Sequence, residues 1–135
     1  MELGKALAIS AAGMDAQTTR LRVIAENLAN QDTTGDTPGA APYRRKTVEF
    51  ANGLDRALGV DTVRVAGIDT DQSAFPLHYD PSHPAANAQG YVQLPNVNSF
   101  VELMDMREAE RTYSANLTVM QATRSMLSRV IGMLK

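Results

Sequence analysis

The chain has 135 residues, 13 Lys and Arg against 15 Asp and Glu, a formal charge of −2, no cysteine, no tryptophan and 5% aromatic residues. That length suits one modest domain rather than two good cores, and the balanced charge, with no basic face standing out, argues against nucleic-acid or anionic-membrane partners. The lack of Cys excludes a disulfide framework, a thiolate nucleophile and a Cys-based metal site, and no apolar run reaches the length of a membrane span.

Residues 3–28 carry the first periodic pattern. Leu3, Leu7, Ser10, Met14, Gln17, Leu21, Ile24 and Leu28 alternate by four and three, and six of these eight are apolar. A period near 3.5 sustained over that span predicts a helix built to pair with another helix. Gly13 costs such a helix about 1 kcal/mol relative to Ala, unless it lets a neighbour approach closely. The segment Ala6–Met14 has some signal-peptide character, but Glu2 and a lone Lys5 make a poor n-region, so it reads as mature sequence. The helix is expected to end in the cap and turn formers Asn30–Gln31–Asp32–Thr33–Thr34–Gly35. Gly35 to Pro42 then reads as a loop broken by Pro38 and Pro42.

The middle alternates at the period of strands. Strands are expected at Tyr43–Phe50, Thr62–Ile68, Ala74–Tyr79 and Gly90–Leu94, with a turn at Asn52–Gly53 and a single helical turn through Leu54 and Leu58 before Gly59. Four short strands make a marginal sheet alone, so the unit is expected to lean on its neighbours.

From Asn98 to Lys135 there is no proline and one glycine, Gly132. Leu103, Met106, Glu110, Tyr113, Leu117, Met120, Arg124, Leu127, Ile131 and Leu134 again alternate by four and three, with eight of the ten apolar. Ser99 and Glu102 have the spacing of a capping box. A helix here would be about 55 Å long, whereas a compact domain of this size is only about 35–40 Å across. It must kink or bury its stripe against another chain. A second apolar line, Val119, Ala122, Met126, Val130 and Met133, points to contacts on more than one side.

The predicted fold is therefore mainly α with a small β unit. An N-terminal helix (1–30) and a C-terminal helix (98–135) pair as an antiparallel coiled coil around a linker and β-rich middle (31–97), which holds short strands or hairpins.

Chemical motifs are sparse. His78 and His83 flank Asp80, but the spacing fits no common zinc pattern, and there is no HExxH, nucleophile elbow or phosphate loop. The expectation is a non-enzyme with no cofactor, metal or small-molecule substrate. Asn27, Asn30 and Asn116 stand where better helix formers would fit. They are surface or capping residues, or interhelical contacts that fix register. Glu110 and Arg124 fall on the predicted apolar seam, where a charge is costly unless paired.

Several stretches resemble one family. They are Asn27–Leu28–Ala29–Asn30 with Gln31–Asp32–Thr33–Thr34, Pro42–Tyr43–Arg44–Arg45–Lys46, Asp80–Pro81–Ser82–His83–Pro84, Gly90–Tyr91–Val92, Pro95–Asn96–Val97–Asn98, Glu102–Leu103–Met104–Asp105–Met106 and Arg111–Thr112–Tyr113–Ser114–Ala115–Asn116. From end to end the chain is similar to the bacterial flagellar rod and hook axial proteins, and within them to the short proximal-rod type. The Ser10-to-Gly13 region fits too. The spacer between Thr34 and Tyr43 and the small Thr47 and Ala51 depart mildly from the pattern.

The resemblance implies paired terminal helices that pack with copies of the chain and with other rod proteins. The product is a periplasm-spanning rod that transmits torque from motor to hook. It further implies export by the flagellar type III apparatus without a cleaved signal. The competing class is a soluble coiled-coil adaptor or secretion chaperone, expected to be a stable small oligomer. A hook or distal-rod subunit is disfavoured by a middle of only about sixty residues.

Overall fold

The computed structural model describes residues 2–135. Helix α1 spans Glu2–Ala29 and helix α2 spans Ser99–Met133. Between them lie β1 (Lys46–Asp55), β2 (Val60–Thr70), β3 (Leu77–Tyr79) and β4 (Tyr91–Gln93). The strands form two separate two-stranded sheets, β1 with β2 and β3 with β4. At 1.5 Å per residue, the 35 residues of α2 measure about 52 Å.

Helix α1 stops at Asn30, whose Nδ2 donates to the carbonyl of Glu26 (2.8 Å) and whose Oδ1 accepts from the Thr33 hydroxyl (3.1 Å). The start of α2 differs from the expected capping box. Asn98 is the cap: its Oδ1 accepts from the backbone N–H groups of Phe100 (3.0 Å) and Val101 (3.3 Å). Glu102 does not reach back to the helix start, because its carboxylate is drawn into a buried ion pair described below.

The first hairpin also differs from expectation. The strand does not stop at Asn52–Gly53 but runs on to Asp55, and no helical turn forms through Leu54 and Leu58. Gly53 serves close approach instead of a turn, since a Cβ there would lie 2.7 Å from Cδ of Arg64. The chain reverses over residues 56–59. Asp55 accepts from the N–H groups of Ala57 (3.0 Å) and Leu58 (3.2 Å), and Gly59 takes a left-handed φ of 65° while donating to the Asp55 carbonyl (2.7 Å). The second hairpin is antiparallel, with Leu77 opposite Gln93, His78 opposite Val92 and Tyr79 opposite Tyr91.

The residues gather into two compact units. The first takes α1 up to Leu21 together with Val48–Gly67 and Met106–Lys135. In it the two helices run antiparallel. Asn116 sits against Gly13, and the Arg20 guanidinium lies 3.5 Å from the Glu108 carboxylate. Its buried positions are small or polar: Ser10, Ala16, Gln17, Ala109 and Thr123. The second unit comprises Arg22–Thr47 and Ile68–Asp105, with Val23, Ile24, Asn27, Ala85, Val92 and Glu102 buried.

Candidate assembly interface

On α2 the inward positions are Glu102, Met106, Ala109, Tyr113, Asn116, Met120, Thr123 and Leu127, all buried or half-buried and spaced by four and three. The heptad period expected from sequence is present, but six of the ten expected positions lie off the inward line. Met106, Tyr113, Met120 and Leu127 lie on the inward line, whereas Leu103, Glu110, Leu117, Arg124, Ile131 and Leu134 are exposed. Glu110 and Arg124 therefore do not lie on the seam within this chain. On α1, Ile24 and Asn27 are buried, Leu3, Leu7, Met14, Leu21, Leu28 and Asn30 are half-buried, and the fully buried neighbours include Ser10, Ala16 and Gln17.

The physical reason is size. A seam lined by Ser10, Gly13, Ala16, Ala109 and Thr123 draws helices closer than Leu or Met would permit, so small residues take its fully buried positions and Met106, Tyr113, Met120 and Leu127 are only half-buried. At Gly13 the fit is tight: a Cβ would meet Asn116 Nδ2 at 2.8 Å and Oδ1 at 3.0 Å. The Asn116 amide also donates to the Thr112 carbonyl of its own helix (3.1 Å).

What is left outside is large and apolar. Val119, Met126, Val130, Ile131, Met133 and Leu134 are exposed toward the end of α2, and Phe100, Val101, Leu103 and Met104 near its start. Every residue from 128 to 135 is exposed. Large apolar side chains at this exposure are the area a second surface would bury.

A polar cluster anchors the second unit. Asn27, 1% exposed, has all of its hydrogen-bonding capacity in use. Its Oδ1 accepts from the Tyr43 hydroxyl (2.8 Å) and the Lys46 N–H (2.9 Å), and its Nδ2 donates to the Lys46 carbonyl (2.9 Å) and the Glu102 carboxylate (3.3 Å). Glu102, also 1% exposed, is paired with the Arg45 guanidinium, which additionally lies 3.4 Å from Asp71 and 3.6 Å from Asp105. Burial pulls the Arg45 guanidinium down, but Glu102 and Asp71 outweigh it and hold it above its ordinary value. Hydrogen bonds from Ser73, with help from Arg45, hold the Asp71 carboxyl below the usual range. Asn96 accepts from the Arg45 N–H (2.8 Å) and donates to the Asp71 carbonyl (2.9 Å).

This cluster was missed in the sequence, where Glu102 reads as a cap. The available signal was its place four residues before Met106 on the inward line. His83, weighed above as a metal ligand, is engaged by its own loop. Its Nδ1 accepts from the Ala85 N–H (3.0 Å) and its Nε2 faces the Thr34 hydroxyl (3.3 Å).

Two long terminal helices whose fully buried contacts are mostly small or polar, the second of which leaves many large apolar side chains exposed, define a structural assembly subunit. Comparison with known proteins gives the particular family. Residues 7–35 match the family described as flagella basal body rod protein, and residues 88–133 match the flagellar basal body rod FlgEFG protein C-terminal family. The flagellar basal-body rod protein FlgC of Agrobacterium fabrum is 49% identical over 98% of this chain and 96% of its own length. The FlgC proteins of Borreliella burgdorferi (37%, over 100% of this chain and 99% of that protein) and Bacillus subtilis (40%, over 93% of each) are similar along nearly the whole sequence. The chain belongs to the FlgC family of flagellar basal-body rod proteins.

Proposed function

We infer that the chain is a structural subunit of the flagellar basal-body rod, and that it enters the rod through the outward lines of its terminal helices. In this reading the subunit sits in the proximal rod within the periplasm, beside copies of itself and other rod proteins, and carries torque along the axle. It reaches that place through the flagellar type III export apparatus with no cleaved signal. Leu3, Leu7, Met14, Leu21 and Leu28 on α1, with Leu103, Leu117, Ile131 and Leu134 on α2, supply contact area toward neighbours. Glu110 and Arg124 select which neighbour fits. The single observation that carries the proposal is the division of the C-terminal helix. Its fully buried positions, Glu102, Ala109 and Thr123, are small or polar, while Leu103, Leu117, Met126, Val130, Ile131 and Leu134 are exposed. Burying such side chains is worth about 1.5–3 kcal/mol each, which only a neighbouring subunit can supply at exposed positions.

The test is Leu117→Asp, a position 38% exposed within the chain. The purified variant is expected to keep the helicity of the parent by circular dichroism, while cells carrying it lose swimming and rod incorporation. Wild-type swimming by cells with Leu117→Asp would overturn the assignment of this line to assembly.

A further inference from the structure

The small β3–β4 sheet has two unlike faces. Because side chains alternate along a strand, His78 and Val92 point one way and Leu77, Tyr79, Tyr91 and Gln93 the other. Val92 is buried, while Leu77 is 63% exposed, Tyr79 61% and Tyr91 43%. The two tyrosine rings meet edge to face at 5.3 Å, and Tyr79 lies over Gly90, where a Cβ would come within 2.9 Å of its ring. The aromatic pair is therefore held in place before anything binds it, which is how interface anchors behave. In a chain with only three Phe and four Tyr, two rings on one exposed face are a large share of the aromatic surface.

Charge indicates what covers this face. The segment that carries it, 74–98, and the loop packed against that segment, 31–43, contain Asp32, Asp36 and Asp80 and no Lys or Arg of their own, and the guanidinium that reaches them, Arg44, is turned onto the Phe75 ring (4.2 Å). They adjoin one another through the Gly39 N–H to Ala85 carbonyl bond (3.3 Å) and the Thr34–His83 contact. Asp80 stays ionised, since a hydrogen bond from Ser82 holds its carboxyl below the usual range. The last part of α2 is the reverse. From 112 to 135 it carries Arg124, Arg129 and Lys135 and no Asp or Glu, interleaved with exposed Met126, Val130, Ile131, Met133 and Leu134.

We propose that the Leu77–Tyr79–Tyr91 face of one copy receives the basic, methionine-bearing end of α2 from a second copy. Thioethers pack well against aromatic rings, and Arg124 and Arg129 complement Asp80, which directly follows β3, and the aspartates of the loop packed against this segment. The two surfaces differ, so the contact is head to tail, and such contacts propagate into an open helical array unless the rotation closes a ring. The inference rests on the rod-subunit reading and names one of its contacts.

The chain has no native cysteine, so the contact can be tested with introduced pairs. Full-length Leu77→Cys protein is mixed with full-length Met126→Cys or Met133→Cys protein under mild oxidation, with Leu58→Cys replacing Leu77→Cys as control. Heterodimers are expected at least about tenfold above the Leu58→Cys control, and Arg124→Glu with Arg129→Glu in the helix donor should abolish them. Adding Asp32→Arg and Asp36→Arg to the acceptor should restore cross-linking to the charge-reversed donor. Cross-linking no better than the control overturns the inference, as does cross-linking of these cysteines in cells only to a protein other than this chain. Loss of swimming on deleting the chain tests the rod reading separately, so the two can fail independently.

Discussion

Replacing Gly13 with alanine sets two effects of known size against each other. In an open helix the change stabilises by about 1 kcal/mol, because glycine loses more backbone freedom on folding than alanine does. Here the added methyl would stand 2.8 Å from Nδ2, 3.0 Å from Oδ1 and 3.1 Å from Cγ of Asn116. The first two of these are at the end of a short side chain, so Asn116 can turn away. Doing so forfeits its 3.1 Å bond to the Thr112 carbonyl, worth about 1 kcal/mol, and strains a tightly packed seam by about 1–3 kcal/mol. The costs outweigh the gain, and Gly13→Ala should destabilise by about 1–3 kcal/mol. Urea unfolding followed by circular dichroism measures this directly. In the background of Asn116→Ala the obstruction is gone, so the same substitution should become favourable by about 1 kcal/mol, giving a coupling of about 2–4 kcal/mol in a double-mutant cycle. A Gly13→Ala variant more stable than the parent, with no coupling to residue 116, would refute close approach at this point.

Arg45→Met should cost about 3 kcal/mol by leaving the Glu102 carboxylate buried and under-compensated. The double variant with Glu102→Leu should recover most of that loss, as urea midpoints will report. Asn98→Ala should lower stability by about 1 kcal/mol through loss of the α2 cap, whereas Ser99→Ala should have a smaller effect; melting temperatures of the two variants decide between them. Acid should weaken the second unit in a defined direction. The folded Asp71 carboxyl lies below its unfolded value of 3.8, so its contribution is complete above that value and is lost as pH falls through the folded one. Asp71→Asn should therefore lower stability at neutral pH and flatten the acid limb of a stability–pH curve, and an unchanged limb would contradict the assigned partners.

How much of this was readable in the sequence depends on the scale of the feature. The two long helices were legible because a 3.5-residue period repeated over many turns outweighs local exceptions such as Gly13. Strands β3 and β4 were legible from Pro and Asp–Pro punctuation, but their pairing was not, because it joins segments through the loop 80–90 rather than through a short turn with its own signature. The β1–β2 turn was misplaced because Asn–Gly is a strong local turn signal, and its glycine is used here to admit the Arg64 side chain. The turn actually taken depends on Asp55 accepting from Ala57 and Leu58, a side-chain contact with no distinctive dipeptide. Ser99 with Glu102 satisfied the capping-box spacing, yet a partner distant in sequence, Arg45, competed for the same carboxylate and won.

The shifted register on α2 has the same origin and bears more directly on function. Counting apolar residues finds the line richest in leucine, and in an isolated hairpin that line would face inward. In this chain the inward line instead carries Ala109, Asn116 and Thr123 at intervals of seven, while Leu103, Leu117 and Ile131, at intervals of fourteen, are exposed. A seam whose fully buried positions are small or polar holds the hairpin together with modest apolar area, and the large apolar residues left exposed on α2 are available to a neighbour. A subunit meant to be stable alone would place its leucines on the seam. One whose stability is completed by neighbours gains from the opposite arrangement, because each copy added to an array buries surface that folding left exposed.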